Sequence, residues 1–143
     1  IVVALRRRRL GAHILEEDVL KTLARREEHP EKVAVGLTAA LSDAPAGRLH
    51  RAVSALRRAG MLTSEVGRPS LTDAGRKRAL ELVRAHRLWE TYLAGQDIVD
   101  PYLHEAAERL EHAHGIAEEL ARTLADPKRD PHGKPIPERQ GGP

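Results

Sequence analysis

Residues 56–79 read LRRAGMLTSEVGRPSLTDAGRKRA, and this stretch is the strongest indication of the fold class. Residues 61–63 and 70–72 have the composition of two short strands, and residues 66–69, Val-Gly-Arg-Pro, have the composition of a turn. They predict a small β-hairpin. Gly60 is suited to ending a helix in front of the hairpin. The hairpin is therefore expected to follow directly on a helix.

Three helices are predicted upstream of the hairpin, because apolar residues recur there at helical spacing. The first two are expected over residues 14–28 and 33–41. In the third, Asp43 is suited to capping the N-terminus and Pro45 to the first turn. The predicted buried face of this third helix consists of Leu49, Val53 and Leu56.

Three more helices are predicted downstream of the hairpin. Thr72 or Asp73 is suited to capping a long helix that reaches Ala94. Two shorter helices are expected over residues 100–114 and 116–125. The remainder is rich in proline and glycine, which predicts an irregular tail.

Six side chains of metal-binding type lie on two of the predicted downstream helices. Two of them are one turn apart on the long helix, and the other four fall within a stripe about 100° wide on the next helix. Carboxylates and imidazoles on one helix face are typical ligands of a divalent metal ion. The six residues are His86, Glu90, His104, Glu108, Glu111 and His112. The histidines outside this stripe are expected at the surface: His13, His29, His114 and His132.

The composition limits the classes of structure and chemistry. The chain has 143 residues, of which 41% are apolar, so it can form one helical domain or two small lobes. One Trp, two Tyr and no Phe disfavour a large sheet. The absence of cysteine excludes disulfides and thiolate metal sites. A net charge of +3 permits nucleic-acid binding without establishing it.

The order helix, helix, basic helix, hairpin is that of a winged helix-turn-helix. We therefore expect a mainly α-helical chain, in which a winged helix-turn-helix with a small hairpin wing precedes a helical metal-binding and dimerisation domain. The predicted divisions are a basic N-terminal segment over 1–13, a DNA-binding domain over 14–75, the helical domain over 76–126 and the irregular tail over 127–143. Core and dimer contacts are expected from Leu88, Trp89, Tyr92, Leu103 and Leu110.

Basic side chains on the third helix and in the hairpin are the candidates for DNA contact. Arg48 and Arg51 are one turn apart, next to His50, and can reach base edges or phosphates in the major groove. Arg68 at the hairpin tip is placed for a backbone or minor-groove contact. The alternative is a basic face in solvent, because arginine is common throughout the chain.

The first residues permit two interpretations. Residues 1–5 are apolar and residues 6–9 are four arginines. Five residues cannot cross a bilayer, but they can be the last turn of a longer membrane span whose cytoplasmic flank is basic. The other interpretation is a trimmed end with a basic arm.

Several stretches together resemble the diphtheria-toxin-repressor family of metal-dependent regulators, including its manganese-transport-regulator branch. The resemblance covers about residues 18–137 and depends on the order and spacing of five motifs: LRRAGMLT, LTDAGRKRA, RAHRLWETYL, HEAAERLEH and DPHGKPIP. It implies a homodimer that binds double-stranded DNA through a winged-helix lobe, with two neighbouring divalent-metal sites between this lobe and a helical dimerisation lobe.

The resemblance assigns roles to the candidate ligands. The primary site would consist of Asp18, Glu108, Glu111 and His112, and the second site of His86, Glu90 and His104. Carboxylates at 18 and 108 resemble the manganese branch, since iron-responsive members have Met and Cys there. Lys21 departs from that branch, which has Glu at this place. Mn²⁺ or Fe²⁺ is the expected ion, and Zn²⁺ or Co²⁺ would also bind.

An enzymatic function is not predicted, and neither is a small-molecule substrate. The zinc-protease pattern H-E-x-x-H begins at His104 but fails because position 108 is Glu. Serine-hydrolase and phosphate-loop motifs are also missing from the sequence.

Two functional hypotheses remain. The first is a cytoplasmic, metal-activated repressor of metal-uptake genes. The second follows from residues 1–20, which resemble the junction between the last transmembrane helix of a zinc- or manganese-type ABC permease and a fused domain of this family. In that case the chain would be a regulatory domain tethered at the cytoplasmic face of the inner membrane.

Overall fold

The computed structural model describes residues 2–30, 36–63, 68–97, 102–110, 112 and 115–141, with side chains except over 2–10 and 102–103. This part of the chain is mainly helical, as predicted. It divides into two compact units, Ile1–Ala79 and Leu80–Pro143. The long helix predicted downstream of the hairpin runs through the boundary between them.

Helix α1 spans Val2–Glu28, so the prediction that the first helix begins at residue 14 is wrong at its N-terminal end. Leu, Ala and Arg dominate the additional turns, and all three favour helix. His13 also lies 3.9 Å from the Glu16 carboxylate and 3.4 Å from that of Glu17, one turn further along. Within the described residues, no helix is long and apolar enough to cross a membrane.

The core of the first unit is the contact between α1 and α3. Val19 and Leu20 on α1 are almost fully buried, and they lie on the helix that packs against α3, Ala46–Arg58. The short helix α2, Leu37–Ala40, adds the buried Leu37 to this core. Residues 33–35 of the helix predicted over 33–41 lie outside the described residues. The residues that α3 buries are Leu49, Ala52 and Leu56, whereas Val53 is half-buried.

The two ends of α3 differ in how well they were predicted. Asp43 does not cap the helix, because the Pro45 carbonyl accepts the first helical hydrogen bonds and Asp43 lies in the preceding turn. The reason is steric. Ala44 precedes Pro45, and the residue before a proline is disfavoured in the helical conformation, so the helix cannot begin there. At the other end Gly60 adopts φ +71°, and Met61 N donates to Leu56 O at 2.9 Å. Gly60 therefore ends the helix as predicted.

The residues after α3 form a short antiparallel pairing. Leu62 and Leu71 form a bridge, and Thr63 N donates to Ser70 O at 2.9 Å. Both leucines are buried. Residues 64–67, which include the first two residues of the predicted turn, lie outside the described residues. This antiparallel pairing lies where the base of the hairpin was predicted, and the hairpin itself stays a prediction.

Helix α4 spans Asp73–Ala94, with the bounds that the sequence predicted. The Thr72 hydroxyl accepts a hydrogen bond from Gly75 N at 3.1 Å and donates to Gly60 O at 2.7 Å. Thr72 is thus the capping residue, and its side chain also ties the start of α4 to the end of α3.

Arg78 forms an ion pair with a buried carboxylate in the first unit. Its Nη2 donates to Glu17 Oε1 at 2.6 Å, and the Glu17 side chain is 2% exposed. The change Arg78→Met should lower the free energy of unfolding by about 2 kcal/mol, less than for a fully buried pair because Arg78 is partly exposed. Urea denaturation measures this. Arg76→Met is the matched control, because its partner Glu27 is exposed, and an equal loss in both variants would contradict the prediction.

The second unit packs two short helices on α4. Helix α5 spans Tyr102–Leu110 and α6 spans Ala117–Thr123. The prediction that α5 reaches residue 114 is wrong, because His112 lies in a turn, which is consistent with the fraying of a short helix at its end. Of the predicted core residues, Leu88 is fully buried, Trp89, Tyr92 and Leu110 are partly buried, and the Leu103 side chain lies outside the described residues.

Residues 128–137 of the predicted tail pack against helices α4 and α6 within the second unit. Arg129 and Pro135 form a bridge, and Ile136 N donates to Lys128 O at 2.9 Å. Ile136 is buried in a cluster with Leu88, Leu120 and Ala121. The segment is irregular, as expected, but it contributes to the core.

Candidate metal centre

His86 and Glu90 lie one turn apart on α4 and are both buried. Their exposed fractions are only 2% and 3%. Ionisable side chains are rarely buried to this degree unless they are paired. Leu82, Val83 and Leu88 on the same helix are also buried. The core packing of α4 therefore fixes the side chains that the sequence placed on one helix face.

His104 on α5 completes a cluster with these two residues. His86 Nε2 and His104 Nδ1 are 3.2 Å apart, and Glu90 Oε1 lies 3.2 Å from the first and 3.0 Å from the second. Two neighbouring ligands of an octahedral ion with bonds of about 2.1 Å are about 3.0 Å apart. The three atoms therefore have the spacing of one face of a coordination sphere.

Hydrogen bonds from both imidazoles to Glu90 leave the contact between the two ring nitrogens unfavourable. Both imidazoles can donate to Glu90, but their two N–H groups would then face each other at 3.2 Å. A shared cation would instead receive a lone pair from each of the three atoms. The donor set of two imidazoles and one carboxylate fits a divalent transition-metal ion.

Glu90 supplies the negative charge of the cluster. Burial by itself raises the pKa of the Glu90 carboxyl, but the hydrogen bonds and positive charge of His86 and His104 outweigh it and lower the pKa to about 2. The carboxylate is thus ionised at neutral pH. In this state it can bind a metal ion without first losing a proton.

The other nitrogen of His104 faces a second acid. His104 Nε2 lies 3.4 Å from Glu108 Oε1, one turn further along α5, and both side chains are about half exposed. The His104 ring therefore lies between the carboxylates of Glu90 and Glu108. Glu108 is the predicted primary-site residue that the structure places next to the His86–Glu90–His104 cluster.

Glu111, His112 and Asp18 are the other predicted primary-site residues. Glu111 lies outside the described residues, and His112 is half-buried in the turn after α5. Asp18 belongs to the first unit, where its carboxylate lies 3.8 Å from the ammonium of the buried Lys21. The role of all three as ligands stays a prediction.

The sequence analysis missed two residues of the 128–137 segment. His132 is exposed, as expected, but nothing in the sequence indicated that its Nδ1 lies 3.9 Å from Glu90 Oε2. The Asp130 side chain is fully buried, and the potential ligand atoms of Glu90, Asp130 and His132 lie within 4.8 Å of one another. The signal was the Asp-Pro-His-Gly motif at 130–133, where a turn brings an acid and an imidazole together.

The candidate DNA-contact residues are all exposed: Arg48, His50, Arg51 and Arg68. Arg57, in the last turn of α3, is less exposed than these four residues. It is half-buried, and its Nε donates to Thr63 O at 3.2 Å. Arg57 therefore holds the base of the hairpin against α3.

Residues 72–138 match the family described as iron dependent repressor, metal binding and dimerisation domain. The second half of the chain thus resembles the metal-binding and dimerisation domain of iron dependent repressors. The resemblance seen in its motifs is thereby confirmed.

Three solved structures of similar fold are 30–32% identical to this chain. The manganese regulator SloR is 30% identical, with a TM-score of 0.75 over 88% of this chain and 60% of SloR. A manganese-dependent transcriptional repressor in complex with manganese is 32% identical, with a TM-score of 0.75 over 89% and 60% of the two chains. ScaR with bound Zn²⁺ is 31% identical, with a TM-score of 0.71 over 87% and 60%.

Two curated proteins that are similar to part of this chain are described as membrane proteins. A probable metal transport system membrane protein of Chlamydia trachomatis is 45% identical over 85 residues, which are 56% of this chain and 18% of that protein. Its counterpart in Chlamydia pneumoniae is 43% identical over 73 residues, 49% and 16% of the two chains. The chain thus spans less than a fifth of the curated relatives that it matches.

Proposed function

We propose that this chain is a metal-dependent transcriptional regulator that represses metal-uptake genes when a divalent ion is bound. The observation that carries the proposal is the convergence of the buried His86 and Glu90 with His104, in a chain that matches the iron dependent repressor family over residues 72–138. When bound, the ion would supply positive charge that stabilises these three donors in contact. The chain itself holds α5 against α4 in the metal-competent form. When metal is added, the population of this form rises because it binds the ion more tightly than the alternative form does.

Mn²⁺ or Fe²⁺ is the proposed physiological ion. Nitrogen and carboxylate donors without thiolate suit these ions, and Zn²⁺ or Co²⁺ binds such sites with higher intrinsic affinity. The related structures that contain manganese and zinc support this range. A second ion position is proposed around Glu108, Glu111 and His112, with Asp18 as a further candidate ligand.

DNA binding is proposed through a winged helix-turn-helix in the first unit. The element order α1, α2, α3 and antiparallel pairing supports it, as does the exposed basic face of α3. In a homodimer, each chain would present one α3 to a half-site of the operator.

Selection from a random library of duplex DNA tests this function directly. The protein should enrich a two-fold symmetric sequence in the presence of Mn²⁺ and lose it when EDTA is added. Equal enrichment in both conditions would contradict metal control, and failure to enrich any sequence in either condition would contradict DNA binding.

Arg51→Ala should weaken binding to the selected operator and reduce the slope of log affinity against log salt by about 1 if the guanidinium contacts a phosphate. Fluorescence anisotropy at several salt concentrations measures both quantities. Arg122→Ala is the matched control, because it removes the same charge from an exposed pair with Glu119 in the second unit. The same slope in wild type and Arg51→Ala would exclude a phosphate contact.

A second candidate function is a regulatory domain of a metal permease. The 45% identity to a probable metal transport membrane protein favours it. In that case, metal bound at the same cluster would control transport. Metal uptake by cells that carry the Glu90→Gln substitution in the complete natural polypeptide distinguishes the candidates. A change in uptake that persists when transcription of the uptake genes is held constant would support the permease.

A further inference from the structure

The first unit contains a cavity of about 650 Å³. Helices α1, α2 and α3 and residues 68–71 contribute to its lining. Cavities of roughly 300–1,000 Å³ are typical of sites for small organic ligands. The lining residues all belong to the first unit, whereas His86, Glu90 and His104 belong to the second. The cavity is therefore a candidate ligand site that shares no residue with the metal centre.

One part of the lining is apolar. Leu23 from α1, Leu37 from α2 and Leu49 from α3 are all buried, as is Leu71 after the predicted turn. Val53, one turn from Leu49 on α3, is half-buried. A hydrocarbon chain that contacts these side chains would leave water, and each buried methylene group would raise the affinity about 4-fold.

The other part of the lining is basic. Arg26 and Arg57 are partly buried, and Arg68 is exposed. Among the described residues that line the cavity, Glu27 is the acid, and its two carboxylate oxygens accept hydrogen bonds from Arg76 at 2.7 and 3.0 Å. Three guanidinium groups therefore stand against one carboxylate that has a cationic partner. Guanidinium groups bind carboxylates and phosphates through pairs of parallel hydrogen bonds.

We propose that this cavity binds a small organic anion with an apolar chain, of the class of medium-chain carboxylates. The anionic group would contact Arg68, and the chain would contact the buried leucines. A phosphate group of bound DNA would also be attracted to the arginines, but it would leave the leucines in contact with water. The combination of apolar and basic lining thus favours the amphipathic anion. The inference goes beyond the proposed function, because it requires neither a metal ion nor DNA.

Titration of the whole chain with octanoate, followed by methyl NMR, tests the proposal. The methyl resonances of the five apolar lining residues should shift together and saturate. Hexanoate should bind about 10-fold more weakly, because it has two fewer methylene groups. Octan-1-ol has the chain without the charge and should bind at least about 3-fold more weakly than octanoate. Acetate and inorganic phosphate have the charge without the chain and should not shift these resonances at the same concentrations.

Two substitutions in the lining test its two parts separately. Val53→Phe should weaken octanoate binding by about 10-fold or more, because the phenyl ring takes the space of at least two methylene groups of the ligand. Arg68→Gln should weaken octanoate binding about 3-fold and leave octan-1-ol binding unchanged, because it removes only a charge. Arg58→Gln is the matched control, since Arg58 is exposed in the last turn of α3 and does not line the cavity. Its affinity for octanoate should be that of wild type.

Each result has a defined meaning. Equal affinities for octanoate and octan-1-ol, or equal losses in Arg68→Gln and Arg58→Gln, would overturn the inference, because the basic lining would then be dispensable. Acetate or phosphate binding as tightly as octanoate would show an anion contact alone and would also overturn it. Wild-type affinity in a folded Val53→Phe protein would place the ligand elsewhere. If Val53→Phe lowers the urea midpoint, the decision rests on Arg68→Gln, whose substituted side chain is exposed, and on the ligand series in wild type.

Discussion

Glu90→Gln should lower the affinity of the His86–His104 cluster for Mn²⁺ or Zn²⁺ by at least about 100-fold. Glu90 is the carboxylate that both imidazoles approach within 3.2 Å. Glutamine preserves the volume of the side chain but removes the negative charge, and a neutral amide oxygen is a much weaker ligand. Calorimetric titration of the purified chain measures the loss. Since metal is proposed to activate DNA binding, the variant should also fail to retain the selected operator in Mn²⁺.

Glu105→Gln is the matched control for this experiment. Glu105 lies on α5, next to His104 in sequence, and is an exposed partner of Arg109. Its substitution makes the same chemical change outside the cluster and should leave metal affinity unchanged. If both variants bound metal as tightly as wild type, the cluster would not be the metal centre. Equal losses in both would point to the general charge of the surface.

Gly75→Ala should lower the free energy of unfolding by about 3 kcal/mol. A Cβ atom at Gly75 would lie 1.9 Å from Met61 O and 2.9 Å from Met61 C, both of which are backbone atoms. A backbone cannot move aside as a flexible side chain can. The first turn of α4 would have to separate from Met61, and the Thr72 cap and the pairing at the base of the hairpin would be weakened with it. Urea denaturation followed by circular dichroism measures the effect.

Gly47→Ala is the control for the glycine substitution. Gly47 lies in the first turn of α3, and a Cβ atom there would have no neighbour within 4 Å. Alanine favours helix over glycine, so this variant should be up to about 1 kcal/mol more stable. Opposite signs for the two substitutions would establish that the close approach to Met61 matters. A stable Gly75→Ala protein would show that α4 can shift away from Met61 at little cost.

Much of the helical framework and the types of ligand follow from local sequence. Thr72 begins α4 and Gly60 ends α3 because capping depends on a few neighbouring residues. His86 and Glu90 share a face of α4 because helix geometry places residues four apart one above the other. Where local signals competed, prediction failed: Pro45 prevented a cap by Asp43, and the first helix continued upstream through its basic turns.

The composition of the metal centre depends on contacts between segments that are distant in sequence. No local pattern shows that the His104 ring lies between Glu90 and Glu108, or that Arg87 holds the turn of His132 beside Glu90. These contacts arise because α4, α5 and residues 128–137 bury their apolar side chains against one another, around Leu88, Leu93 and Ile136. Helical periodicity establishes which residues share a face, whereas the packing of those faces establishes which side chains meet.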